Sequence, residues 1–160
     1  TLLAPQEYDL KDFIMPVDED VRGSFAESVQ TLQGLVFILD DNIELAKQQF
    51  QSVLEKTNNS MSKTISQLYL LQIALIEGDN KKAEEYASIR GVKSFLSIKT
   101  ADMQVIQAWY QFKVRKDVVQ THKAMKIARQ KMNSSRMLRD EKSYYENLLA
   151  ELEKELTEGV

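Results

Sequence analysis

Among the side chains able to do chemistry, the bases between Lys113 and Arg139 stand out. Residues 111–139 hold nine of them (Lys113, Arg115, Lys116, Lys123, Lys126, Arg129, Lys131, Arg136 and Arg139) against the single acid Asp117, a net of +8. Residues 1–59 carry 11 acids and 4 bases, net −7, and residues 140–160 carry 7 acids and 2 bases, net −5. The formal charge of −3 therefore conceals a basic band between two acidic ends. Lys116, Lys123, Lys126, Arg129 and Arg136 are candidates to hold a polyanion by charge. Three readings are open. The band is a solvated face balanced by an antiparallel last helix through Glu141, Glu151 and Glu155, or it binds an acidic peptide or protein, or it binds nucleic-acid phosphates. The acidic balance of the whole chain and the lack of any base-reading motif make nucleic acid the weakest of the three.

Catalytic chemistry needs a cluster of nucleophile, base and electrophile, and the sequence has none. It lacks a glycine-rich phosphate loop, a His-Glu-x-x-His zinc helix and a Gly-x-Ser-x-Gly elbow. His122 is the only histidine, set between Thr121 and Lys123 on a charged stretch, and reads as a surface residue. With no cysteine there is no disulfide, thiolate metal site or thiol nucleophile, which suits a reducing, cytoplasmic setting. The sequence does not indicate an enzyme and implies no cofactor or metal. Asn58-Asn-Ser60 and Asn133-Ser-Ser135 fit the glycosylation tripeptide, but nothing marks secretion. No apolar run reaches the ~18 residues that span a bilayer. Thr1 in place of an initiating Met suggests a piece of a longer protein, which could itself carry a membrane segment.

The elements that must position these residues are helical. Both prolines lie in the first 16 residues, and hydrophobic residues at 43% and charged residues at 28% describe an ordinary globular chain. Residues 1–23, with six acids and Pro5, Pro16 and Gly23, read as an acidic arm or linker. Its Tyr8, Leu10, Phe13, Ile14 and Met15 suggest packing along a body or docking in a groove. Ser24-Phe-Ala-Glu27 then has the spacing of a capping box. Phe25, Val29, Leu32, Val36 and Leu39 make one face of a first helix, and Ile43, Ala46, Phe50, Val53 and Leu54 one face of a second. The helix expected over Ser60 to Glu77 is apolar most of the way round, which predicts a central position. Its partner is expected to start at Asp79 or Asn80 and to end near Gly91, with Val92–Lys99 a connector. A fifth helix capped by Thr100 or Asp102, a sixth opening at Asp117 and a last one over Arg136–Thr157 complete the chain. The last carries Met137, Tyr144, Leu148, Leu149, Leu152 and Leu156 inward.

Gly78 fixes the clearest turn, because glycine enters the left-handed region beyond a helix end without a Cβ penalty. Asp41, Asp79 and Asp117 are spaced 38 and 38 residues apart, and each opens a helical segment after a longer apolar one. A fixed period in this range signals stacked supersecondary units. Gly34, Phe37, Ala46, Phe50 and Val53 fall where the tetratricopeptide repeat has small, aromatic, small, aromatic and small residues. Gly78 and Ala83 match its turn glycine and packed alanine. The chain resembles a tetratricopeptide-repeat array over roughly residues 24–135, although Trp109 stands where the pattern has a small residue and Thr121 where it has alanine.

The resemblance implies an all-α fold over 24–160, three stacked antiparallel hairpins with a C-terminal capping helix. It also implies a protein–protein interaction or scaffold module, whose concave surface is lined by the first helix of each hairpin. Gln30, Gln33, Gln67, Gln72, Gln104 and Gln107 would clamp an extended peptide there, since glutamine both donates and accepts. Lys63 and Lys113 would meet its carboxylates. A homo-oligomer and a purely structural spacer are the further readings.

Overall fold

A computed structural model describes residues 24–159, with side chains from Glu27. The arm expected over 1–23 and the Ser24 half of the capping box lie outside the described residues and side chains. The described chain is all-α, with no strand, and divides into two compact units, 24–92 and 93–159.

The first unit holds α1 (Ser24–Leu39), α2 (Ile43–Lys56), α3 (Ser60–Glu77) and α4 (Asn80–Ala87). Connections of three residues (40–42) and two (78–79) leave α1–α2 and α3–α4 no choice but to run antiparallel. Helix α2 packs on both α1 and α3, and α3 also touches α1 and α4. Helix α3 is accordingly the central one. Ser66, Leu68 and every residue from Leu70 to Leu75 are buried, as its all-round apolar pattern requires. Ala46 and Ala83 are fully buried, small residues that let the paired helices approach. The Phe50 ring stacks on Tyr69, centroids 4.8 Å apart and planes within 11°, which ties α2 to α3. At the surface Lys47 Nζ pairs with Glu77, and that hydrogen bond holds the ammonium above its usual pKa range. Such an exposed pair contributes ~0.2–1 kcal/mol, against ~1.5–3 kcal/mol for burying a large apolar side chain. The aromatic stack, not the ion pair, joins these helices.

Asp79 caps α4 by accepting from Lys82 N at 3.1 Å, and Asn59 caps α3 by accepting from Met61 N and Ser62 N. Helix α4 stops earlier than expected, at Ala87 rather than near Gly91. The Ser88 hydroxyl donates to Glu85 O, a local bond that competes with continuing the helix. A short α5 (Arg90–Leu96) follows, and the division between units falls inside it.

The second unit holds α6 (Ala101–Lys113), α7 (Val118–Asn133) and α8 (Arg139–Glu158). Helix α6 packs along α7, and α8 rests on both. Thr121, in place of the repeat's alanine, is fully buried, and its hydroxyl donates to Asp117 O at 2.7 Å. Trp109 is buried too, and its indole N–H donates to Leu148 O of α8 at 3.0 Å. The aromatic that departs from the repeat pattern is thus the anchor of the last helix. The buried stripe of α8 is Tyr145, Leu149 and Leu152, at steps of four and three. Tyr145, not Tyr144, is the inward aromatic, since only position 145 keeps helical register with Leu149 and Leu152.

Candidate functional site

In the first unit α1 and α3, the first helices of their hairpins, leave a groove between them. Its volume is about 230 Å³, and Ser28, Thr31, Leu32 and Leu35 from α1 line it with Ser62, Ile65 and Tyr69 from α3. The four α1 positions step by three, one and three, and the α3 positions by three and four, so each set is one strip of a helix. Leu32, Leu35, Ile65 and the Tyr69 ring make the walls mainly apolar, with hydroxyls at Ser28, Thr31 and Ser62. Tyr69 is held in place by its stack on Phe50. Thr31 donates its hydroxyl proton to Glu27 O at 2.8 Å. The walls are therefore set by the helices themselves.

None of the glutamines expected to clamp a peptide lines this groove. Gln33, Gln72 and Gln104 are buried, at 9%, 2% and 5% exposure, which puts them out of reach of a ligand and corrects that expectation. Gln104 Nε2 shows what such a side chain does instead. It donates to Ile98 O at 2.9 Å and Leu96 O at 3.4 Å, satisfying carbonyls at the end of α5 and in the connection to α6. Gln30, Gln67 and Gln107 are half-buried and Lys63 is exposed. Gln107 Oε1 is a buried acceptor with no donor. The groove was not expected, because Leu32 was read as part of one apolar face and the helix over Ser60 to Glu77, which holds Ile65 and Tyr69, as apolar most of the way round and central. The available signal was the i, i+3, i+7 spacing of Ser28, Thr31 and Leu35 and of Ser62, Ile65 and Tyr69, which sets hydroxyl residues on the same strips as apolar ones.

The basic band is neutralised at one edge. Arg129 meets Glu153 at 2.9 Å, and Lys113 meets Glu155 while lying 5.3 Å from the Trp109 ring centre and 5.6 Å from that of Phe112. Lys113 is thus engaged within its own unit rather than offered to a peptide. Of the three acids expected against the band, only Glu155 pairs, and with Lys113 rather than with a base of α7. Glu151 is exposed, and Glu141 faces Asp102, with burial first and that carboxylate second pushing its pKa up. Lys116, Lys123, Lys126 and Arg136 are exposed and meet no carboxylate at ion-pair distance among the described residues.

His122 is exposed, and no group of three or more His, Asp or Glu among the described residues could hold a metal ion. Among the described residues no helix is long and apolar enough to cross a membrane. Comparison with protein-family models, with curated proteins and with solved structures returned no match.

Proposed function

We propose that this chain is a protein-interaction module, the two hairpins of its first unit stacked in the manner of tetratricopeptide repeats, and that it grips a peptide or partner protein by an apolar side chain in the α1–α3 groove. The groove itself carries the reading. At about 230 Å³ it is smaller than the ~300–1,000 Å³ of sites for drug-sized molecules and cofactors, and it fits one or two apolar side chains. Its place between the first helices of consecutive hairpins is where a repeat stack presents a ligand surface, and that part of the argument is fold analogy. The Ser28, Thr31 and Ser62 hydroxyls would serve the peptide groups flanking the anchor.

Selection of a random peptide library against the chain, with counter-selection against an Ile65→Lys variant, tests this. The expected peptides share a large apolar residue and shift backbone resonances of Leu32, Ser62 and Ile65. A folded Ile65→Lys variant should lose them. Selected peptides that bind the variant equally well, or a selection that yields none, would overturn the reading in favour of a structural spacer.

A further inference from the structure

Helix α7 turns Thr121, Ala124, Met125, Ala128 and Met132 inward. At 100° per residue, Val119, Lys123, Lys126 and Gln130 fall within one strip about 60° wide on the opposite side. All four are exposed. Val119 is 74% exposed, and Val118 beside it 50%. A β-branched residue gains nothing for the helix in such a place, because it loses side-chain freedom without burial in return. No Asp or Glu occurs anywhere in residues 118–133. The edge of α7 nearest α8 is neutralised through Arg129 and Glu153, whereas Lys123 and Lys126 are left without a carboxylate. The outward face is thus apolar at its first turn and cationic over the next two.

We infer that this face is a second docking surface, separate from the α1–α3 groove, for an acidic protein segment that carries an apolar side chain. Lys123 and Lys126 pair with its carboxylates, and Val118 and Val119 receive the apolar group. Charge complementarity selects an anion, and the exposed valines select among anions. A single-stranded nucleic acid stacks successive bases on exposed aromatic platforms, and α7 offers no Phe, Tyr or Trp, only the small ring of His122. A lipid surface requires a broad free apolar face, and that of α7 is spent against its own unit.

The test titrates the full chain with three labelled probes of equal charge: an acidic peptide containing Leu and Phe, an acidic peptide without apolar residues, and a single-stranded RNA. The first should bind most tightly and weaken as salt rises. Changing Lys123 and Lys126 together to Glu should weaken it about tenfold or more, and Val119→Ser should bring it down to the level of the second peptide. Both changes lie on exposed positions, and circular dichroism with a melting curve verifies that the variants fold. RNA binding as tightly as the apolar acidic peptide, equal binding of the two peptides, or no loss in the double Lys variant would each overturn the inference. The titrations are run in the Ile65→Lys background, where the groove no longer takes an apolar side chain, and the same order of probes should persist there, so that failure of the groove and failure of this surface remain distinguishable.

Discussion

The Phe50 ring lies directly against the backbone of Gly34. A Cβ added to Gly34 would stand 2.5 Å from Phe50 Cζ and within 2.9 Å of both Cε atoms. Phe50 cannot retreat, because its other face is stacked on Tyr69. Two opposed effects therefore compete in Gly34→Ala. Alanine gains up to ~1 kcal/mol in helix propensity, while overpacking a filled site costs ~1–3 kcal/mol. The rigid ring makes overpacking win, so the variant should be destabilised by about 1–2 kcal/mol on balance. Urea unfolding measures it, and a variant as stable as the parent would show that the α1–α2 contact is looser than described.

The three hairpin turns share a backbone signature. Asp41, Gly78 and Lys116 have positive φ (59°, 75° and 58°), and each is followed at once by an N-cap, Asn42, Asp79 or Asp117. Only at Gly78 is the residue free of a Cβ penalty. Lys116→Gly should therefore stabilise the chain, by up to about 1 kcal/mol after the glycine's greater freedom in the unfolded state is counted. Gly78→Val should destabilise it by more than the ~1 kcal/mol of a plain propensity change. Opposite signs at equivalent positions, read from melting temperatures, are the expected outcome. The same sign at both would mean that the turns are not equivalent.

These turns also explain how much was legible beforehand. Asp79 and Asp117 were readable as helix openings because a carboxylate before a helix accepts its free amides. Asp41 was misplaced by one residue, since aspartate tolerates the left-handed conformation as well as capping and the sequence does not say which it does. Helix α3 was readable at about its observed extent, its end marked by Gly78, whereas the capping role of Asn59 was not singled out within the polar stretch before it. The burial of Gln33, Gln72 and Gln104 was not, because a polar residue inside an apolar helix looks the same whether it meets solvent or a backbone carbonyl. The α1–α3 groove escaped for the converse reason. Leucine, isoleucine and tyrosine at helical spacing look like core whether the neighbouring helix closes over them or stands slightly apart.

Glu141 gives the stability of the second unit a pH dependence of defined sign. It sits half-buried in the first turn of α8, where the helix dipole favours its negative charge. Burial and, second, the Asp102 carboxylate outweigh that and raise its pKa above the ordinary 4.5. Between the ordinary and the raised value the folded chain keeps a proton that the unfolded chain has released. Stability contributed by this site therefore falls as pH rises through that window, and the full penalty stands at neutral pH. Glu141→Gln cannot ionise, so it should melt higher than the parent at neutral pH, and the gap should close as pH falls towards about 4. Asp102→Asn is the poorer probe, because Asp102 also accepts hydrogen bonds from Thr100 and from Met103 N. Melting curves of the parent and Glu141→Gln across this range decide the matter: a gap that is absent at neutral pH, or that widens towards acid, contradicts the raised pKa that burial, and second Asp102, give Glu141.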